Sequence, residues 1–285
     1  MPELPEVEVT RRGVAPHIEG RRIDALVVRN GALRWPVPGM LADILPGARV
    51  QTVGRRGKFI LIGCEGEHAH GTLIVHLGMT GTLRVHQRGA AEPALATHDH
   101  VDLVLDNTLL RYNDPRRFGA ILWHAHSDGP IEDNRHLRAL GVEPLSAAFA
   151  GETGAQLLYR ESRGRAVAIK QLLLGGHVVV GVGNIYASET LFRAGIHPAA
   201  AAGRIALARY VRLAEAIRVV LALAIDKGGS TLRDFVGSDG RAGYFQQEYF
   251  VYDREHEACR VCATPIRALR QGQRSSFYCP RCQRR

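Results

Sequence analysis

Lysine is nearly missing from this 285-residue chain: of 37 basic residues only Lys58, Lys170 and Lys227 are lysines, and the other 34 are arginines. Where either cation serves, this composition supplies arginine, so a retained lysine marks a place where a compact ammonium is needed and a planar fork does not fit. Lys227, ahead of Gly228-Gly229, is accounted for as a cation at a helix C-terminus. Lys58, in Arg55-Arg56-Gly57-Lys58 before an apolar strand, is the better functional candidate. Cysteine is scarce as well. Four of the five form Cys259-x2-Cys262 and Cys279-x2-Cys282, a usage that suits a reducing compartment with a metal site better than a disulfide framework; Cys64 reads as a buried, inert thiol in a strand. Long apolar runs are missing. Glu3, Glu6 and Glu8 interrupt the start, and the most apolar helical stretch, near 205–226, carries Arg209, Arg212, Glu215 and Arg218. No secretory or membrane segment is expected, so the protein is predicted to be soluble and cytoplasmic. There is no internal repeat and no low-complexity tract beyond Ala199 to Ala202.

A net charge of +9 points to a polyanionic partner. The excess is uneven: from residue 254 onward eight arginines stand against Glu255 and Glu257 alone, a local +6. Nucleic acid is the first partner to consider, with a solvated basic tail as the alternative. Short strand-like stretches at 25–29, 50–53, 59–62, 72–77, 82–85, 101–105, 109–112 and 120–123 predict an antiparallel β-sandwich, with Asp106-Asn107 as a hairpin turn. From about 136 the period lengthens to that of helices, at 156–174, 184–194 and 207–224. The chain therefore reads as α+β, with a hinge near Gly129-Pro130.

The opening Met1-Pro2-Glu3-Leu4-Pro5-Glu6-Val7-Glu8 carries a chemical option. Removal of Met1 before a small residue leaves Pro2 as a secondary amine, and a chain-end amine titrates near ~8 where lysine titrates near ~10.4, so far more of it is unprotonated at neutral pH. Pro5, Glu6 and Glu8 in the first turns, Arg11 and Arg12 at the far end and Gly13 as a stop predict a short helix whose positive end disfavours a protonated amine at Pro2. Attack on a sugar C1′ then gives an iminium ion, an electron sink for elimination. A frayed terminus is the plainer alternative for these residues.

The two cysteine knuckles, sixteen residues apart, let four thiolates close around one structural Zn2+, presenting Arg267, Arg270 and Arg274 from the intervening hairpin. Gly181-Val182-Gly183-Asn184 lacks the third glycine of a dinucleotide fingerprint, yet a helix start there can grip a phosphate; an ordinary turn capped by Asn184 is the alternative. Asp114-Pro115-Arg116-Arg117-Phe118-Gly119 joins two guanidiniums and an aromatic, a set suited to filling a gap in a base stack, although these residues alone read more simply as a salt-bridged turn with a buried Phe118. Met79 alone reads as core. Three His-x-His pairs, at 68/70, 98/100 and 124/126, place imidazoles on one strand face, where solvent exposure explains them more simply than metal binding.

Taken together these motifs resemble the bacterial formamidopyrimidine-DNA glycosylases of the Fpg/Nei family: the Pro2 to Glu6 opening, Arg55 to Lys58, His76 to Met79, Asp114 to Gly119, Ile169-Lys170, Val180 to Glu189, Ser238 to Phe245, and the four-cysteine finger with Gln273-Arg274. The resemblance implies a β-sandwich domain over 1–135, a helix-two-turn-helix domain over 136–235, and a lesion-side loop with the zinc finger over 236–285. It also implies a bifunctional glycosylase and AP lyase for oxidised purines in duplex DNA, acting as a monomer in the cytoplasm at the nucleoid, with no membrane partner. By the same resemblance Pro2 is the nucleophile, Glu3 the acid for the sugar ring oxygen, and Lys58 a cation near the extruded nucleotide. Arg274 and Asn184 anchor phosphates. Met79, Arg116 and Phe118 fill the gap, with Arg116 on the orphaned cytosine; Arg117, His76, Lys170 and Tyr244 are DNA contacts or their supports. Leu4, where the pyrimidine-lesion relatives carry Gly, favours the purine branch. Gly175, where family members often have Asp, is a local departure.

Overall fold

The structure, a computed structural model, describes residues 2–89, 94–229 and 248–285. These fall into two compact units. The first holds the described residues through Arg138 with Lys227–Gly229, the second Ala139–Asp226 and the described residues from Glu248 on.

The first unit opens with α1 (Leu4–Ile18). Glu3 is its N-cap and Glu6 its third residue, and each side chain accepts the other's backbone N–H, a reciprocal capping box. The expected stop at Gly13 is not used. Glycine weakens a helix by about 1 kcal/mol, whereas each apolar side chain buried beyond it returns roughly 1.5–3 kcal/mol. Val14 and Ile18 are such side chains, and with Ala15 they join the core. Pro16 removes a late donor, and the helix ends two residues later.

Eight strands follow, each overlapping an expected one: β1 (Ile23–Val28), β2 (Arg49–Arg56), β3 (Phe59–Glu65), β4 (His70–His76), β5 (Thr82–Gln87), β6 (Asp99–Leu105), β7 (Thr108–Asn113) and β8 (Ala120–Ala125). They form two antiparallel four-stranded sheets, in the orders β1-β6-β7-β5 and β2-β3-β4-β8. Asp106-Asn107 does make the β6–β7 turn, with Asp106 at φ 28°. Side chains from both sheets, among them Leu26, Leu103 and Leu110 on one and Ile60, Ile62 and Leu73 on the other, form one buried apolar cluster.

The second unit contains α3 (Gly151–Ser162), α4 (Ile169–Gly175), α5 (Asn184–Arg193) and α6 (Leu207–Asp226), a short α2 (Leu41–Ile44) having preceded them in the first unit. The helix expected over 156–174 is broken in two. Gly164 adopts φ 72°, and the Arg163 guanidinium donates to the carbonyls of Ala202 and Ile205, which holds the connection off the helical path. At the Gly175 departure α4 simply ends, with Gly176 as a left-handed cap at φ 69°. A hairpin, β9 (Arg267–Gln271) and β10 (Arg274–Tyr278), completes the unit. No helix among the described residues is long and apolar enough to cross a membrane.

Candidate functional site

At the head of α1, Pro2 and Glu3 are buried and Glu6 has no exposed surface. Glu6 Oε2 accepts the Glu3 N–H at 2.8 Å, which fixes the peptide that follows Pro2. Gly229, at φ 80°, packs on the same acid: a Cβ there would lie 3.3 Å from Glu6 Oε1. Lys58 sits in the two-residue turn joining β2 to β3, closed by the Arg56–Phe59 pair, with Gly57 at φ 57°.

A second group surrounds a groove of about 650 Å³ lined by His76, Gly78, Met79, Arg116, Arg117 and Phe118, with Arg34 and Ala32 beside them. Its two loops touch directly, since a Cβ on Gly78 would meet the Gly119 nitrogen at 2.4 Å. The Arg116–Gly119 turn is organised from below by Asp114, which is fully buried. Asp114 Oδ2 accepts from the Gly119 N–H (2.9 Å) and the Tyr112 hydroxyl (3.2 Å), and Oδ1 accepts from Thr80 Oγ1 (2.6 Å). Arg117 takes φ 56°, and Phe118, 45% exposed, lies beneath the Arg116 guanidinium 4.8 Å from its ring centre. An exposed aromatic with a cation stacked on it, held by a buried carboxylate, is not the buried Phe of a plain structural turn. His76 Nδ1 accepts the Gly78 N–H at 3.1 Å. Burial, and after it the charges of Lys58 and Arg34, push its pKa down to about 4, so the ring stays neutral.

In the second unit Asn184 is the first residue of α5, and Gly183 is the N-cap. The Asn184 side chain is thus free of capping. Its Nδ2 lies 3.5 Å from the Tyr252 hydroxyl, and its buried Oδ1 has no hydrogen-bond partner among the described residues. Lys170 is fully buried and donates to Ser188 Oγ and the Ser275 carbonyl, both at 3.0 Å, tying α4 and α5 to β10. That placement suits a support for the hairpin rather than a direct contact. Arg274 is exposed at the start of β10, after the Gly272-Gln273 turn. Tyr244, with the whole Ser238 to Phe245 motif, lies outside the described residues.

The four cysteine sulfurs lie within 4.8 Å of one another. Separations of 3.9 Å (Cys259–Cys282), 3.4 Å (Cys262–Cys279) and 3.5 Å (Cys262–Cys282) bracket the ~3.8 Å edge of a tetrahedron with 2.3 Å Zn–S bonds. The Val261 and Cys282 N–H groups donate to Cys259 and Cys279 sulfurs, as thiolate ligands require. The donor set fits one structural zinc. Among the described residues no other group of three or more His, Cys, Asp or Glu could hold a metal. His100 and His124 instead spend a ring nitrogen on the carbonyls of Asp114 and Gly129.

Residues 1–121 match the family model described as the formamidopyrimidine-DNA glycosylase N-terminal domain, 140–236 its H2TH domain, and 257–285 the zinc finger found in FPG and IleRS. The chain belongs to the formamidopyrimidine-DNA glycosylase family. It is 59% identical over 284 residues, 100% of each chain, to the formamidopyrimidine-DNA glycosylases of Paraburkholderia phymatum and Burkholderia thailandensis. Its fold is similar to the crystal structure of a MutM (Fpg) protein from Thermus thermophilus, with 38% identity, TM-score 0.85, and 99% of this chain and 98% of that one covered. It is similar too to Lactococcus lactis Fpg in complex with DNA containing an abasic site, with 28% identity, TM-score 0.88 and full coverage of both chains.

Within this family frame, sequence reasoning passed over three contributors. Arg34 comes from a loop with no periodic signal, and Asp114 and Glu189 enter the sequence reading only as the ends of their motifs, Asp114 to Gly119 and Val180 to Glu189, with no role of their own. Glu189 is buried and accepts the backbone N–H groups of Phe250, Val251 and Tyr252 at 2.8–3.0 Å; burial outweighs these bonds and raises its pKa. A carboxylate amid apolar helix positions is the signal that marks it.

Proposed function

We propose that this family member excises oxidised purines, 8-oxoguanine and formamidopyrimidines, from duplex DNA and then cuts the strand at the emptied site. The observation that carries the reading is the head of α1, where Pro2 stands beside two buried acids, one of which, Glu6, holds the backbone of the other. With Met1 removed, the Pro2 lone pair attacks C1′, the N-glycosidic bond breaks, and the base leaves with its electron pair and takes up a proton. Loss of the amine proton and donation of the Glu3 proton to the ring oxygen open the sugar, leaving an iminium between Pro2 and C1′. That cation accepts the electrons released at C2′, and β- then δ-elimination expels the two phosphates.

The other residues serve this chemistry by position. Lys58 faces the extruded nucleotide; His76, its ring neutral, donates a hydrogen bond to the DNA. Met79 and Phe118 fill the gap, and Arg116 hydrogen-bonds the orphaned cytosine, with Arg117 on the backbone. Asn184 and Arg274 hold phosphates, Lys170 supports the hairpin, and Tyr244 is a further contact. In this reading 1–135 supply the amine and wedge, 136–235 the phosphate grip, and 236–285 the lesion-side loop and finger. The protein acts as a monomer in the cytoplasm, at the nucleoid. The test is a duplex with a single 8-oxoguanine, resolved on a denaturing gel: cleavage at the lesion is expected, and an intact strand after prolonged incubation with zinc-loaded protein refutes the activity.

A further inference from the structure

Glu8 lies in α1, two residues beyond the capping box, and four charge-assisted hydrogen bonds end on its carboxylate. Oε1 accepts from Arg11 Nη2 (2.8 Å) and Arg12 Nε (2.9 Å), and Oε2 from Arg11 Nε and Arg55 Nε (both 3.0 Å). Arg11 and Arg12 are helix neighbours three and four residues on, a pairing common to many helix faces. Arg55 is different. It reaches Glu8 from β2, and its Nη1 donates at 2.8 Å to the carbonyl of Gly57, the residue that precedes Lys58 in the turn. Arg11 adds a bond from Nη1 to the Val53 carbonyl in the same strand, at 3.1 Å. The Glu8 and Arg55 side chains are each only 11% exposed, so the pair is shielded from the screening that makes surface ion pairs weak. Though burial opposes it, the three arginines hold the Glu8 pKa down at about 2.

A two-residue turn with glycine at φ 57° can rock about its closing pair unless something outside the ladder holds it. The Gly57 carbonyl is so held, by a guanidinium anchored on the helix whose first turn carries Glu3. We propose that Glu8, acting through Arg55, is the positioning residue that fixes the Lys58 ammonium relative to the Pro2–Glu3 pair. This rests on the reading above, in which Lys58 acts on the extruded nucleotide. A charged group displaced by about 1 Å from its productive place loses one to two orders of magnitude in rate while binding is retained.

Single-turnover excision and equilibrium binding of the same 8-oxoguanine duplex are to be measured for Glu8→Gln, Lys58→Ala and the double variant. Glu8→Gln is expected to slow excision about tenfold with affinity changed less than twofold, and to slow it no further in the Lys58→Ala background. Multiplied losses in the double variant, with Lys58→Ala alone impaired, overturn the positioning role and leave the proposed function standing. A Lys58→Ala enzyme as fast as the parent instead removes the role of Lys58, and this inference with it. Should Glu8→Gln fail to fold, Arg55→Ala breaks the same link from the other side and is read by the same criteria.

Discussion

His76 and Glu8 show how burial and charge act on single residues with opposite results. For His76 burial and nearby cations favour the neutral ring, its pKa falling from 6.5 to about 4. The unfolded chain therefore takes up a proton below pH 6.5 that the fold refuses, and acid destabilises through this group between 6.5 and 4. The ring nitrogens of His76 should keep neutral-imidazole NMR shifts down to about pH 5; an imidazolium at pH 6 contradicts its role as a neutral donor. For Glu8 the arginines lower the pKa from 4.5 to about 2, so its stabilisation is complete above pH 4.5 and is lost as pH falls toward 2. The gap in Tm between the parent and Glu8→Gln should thus be widest near neutrality and close progressively below pH 4.5; a gap independent of pH rules out the charged network. On the wedge turn, Arg116→Ala should reduce excision and flatten discrimination between opposite cytosine and opposite adenine, since a bidentate base contact supplies roughly 1–3 kcal/mol of selectivity. Phe118→Ala should slow excision whatever the opposite base. Unchanged preference in Arg116→Ala leaves the turn without a reading role.

At the scale of elements, the finger makes the clearest prediction. Cys279→Ser removes one of four ligands whose metal organises Phe277, Ile266 and the hairpin, and should release zinc and abolish DNA binding together. Arg274→Ala leaves the ligands intact, so zinc content should hold while affinity for damaged and undamaged duplex falls alike and the salt slope drops by about one unit. Zinc loss with affinity preserved contradicts the assignment. Most elements were legible: the eight strands are short apolar stretches punctuated by turn residues, and the cysteine spacing alone specifies the hairpin's base. What the sequence misplaced were helix ends. Gly13 reads as a stop because local propensity favours one, yet the three apolar residues after it bury against the sandwich. The 156–174 stretch reads as continuous because its apolar period survives the break, while the carbonyl partners of Arg163 that enforce the break come from 202 and 205. Arg55 bonding to Glu8 was invisible for the same reason: it spans 47 residues.

For the whole molecule, the +9 charge gives any DNA affinity a steep dependence on ionic strength, but charge alone describes a binder as well as an enzyme. The difference lies at the chain start. A reader of DNA is indifferent to a retained Met1, whereas the proposed chemistry requires the free Pro2 amine and passes through a reducible iminium. The measurement that separates them is borohydride trapping on an 8-oxoguanine duplex, followed by proteolysis and mass spectrometry of the cross-linked peptide. The account predicts a covalent adduct on the nitrogen of Pro2, lost when the N-terminus is blocked. An adduct on Lys58, or undiminished trapping by protein that retains Met1, contradicts it.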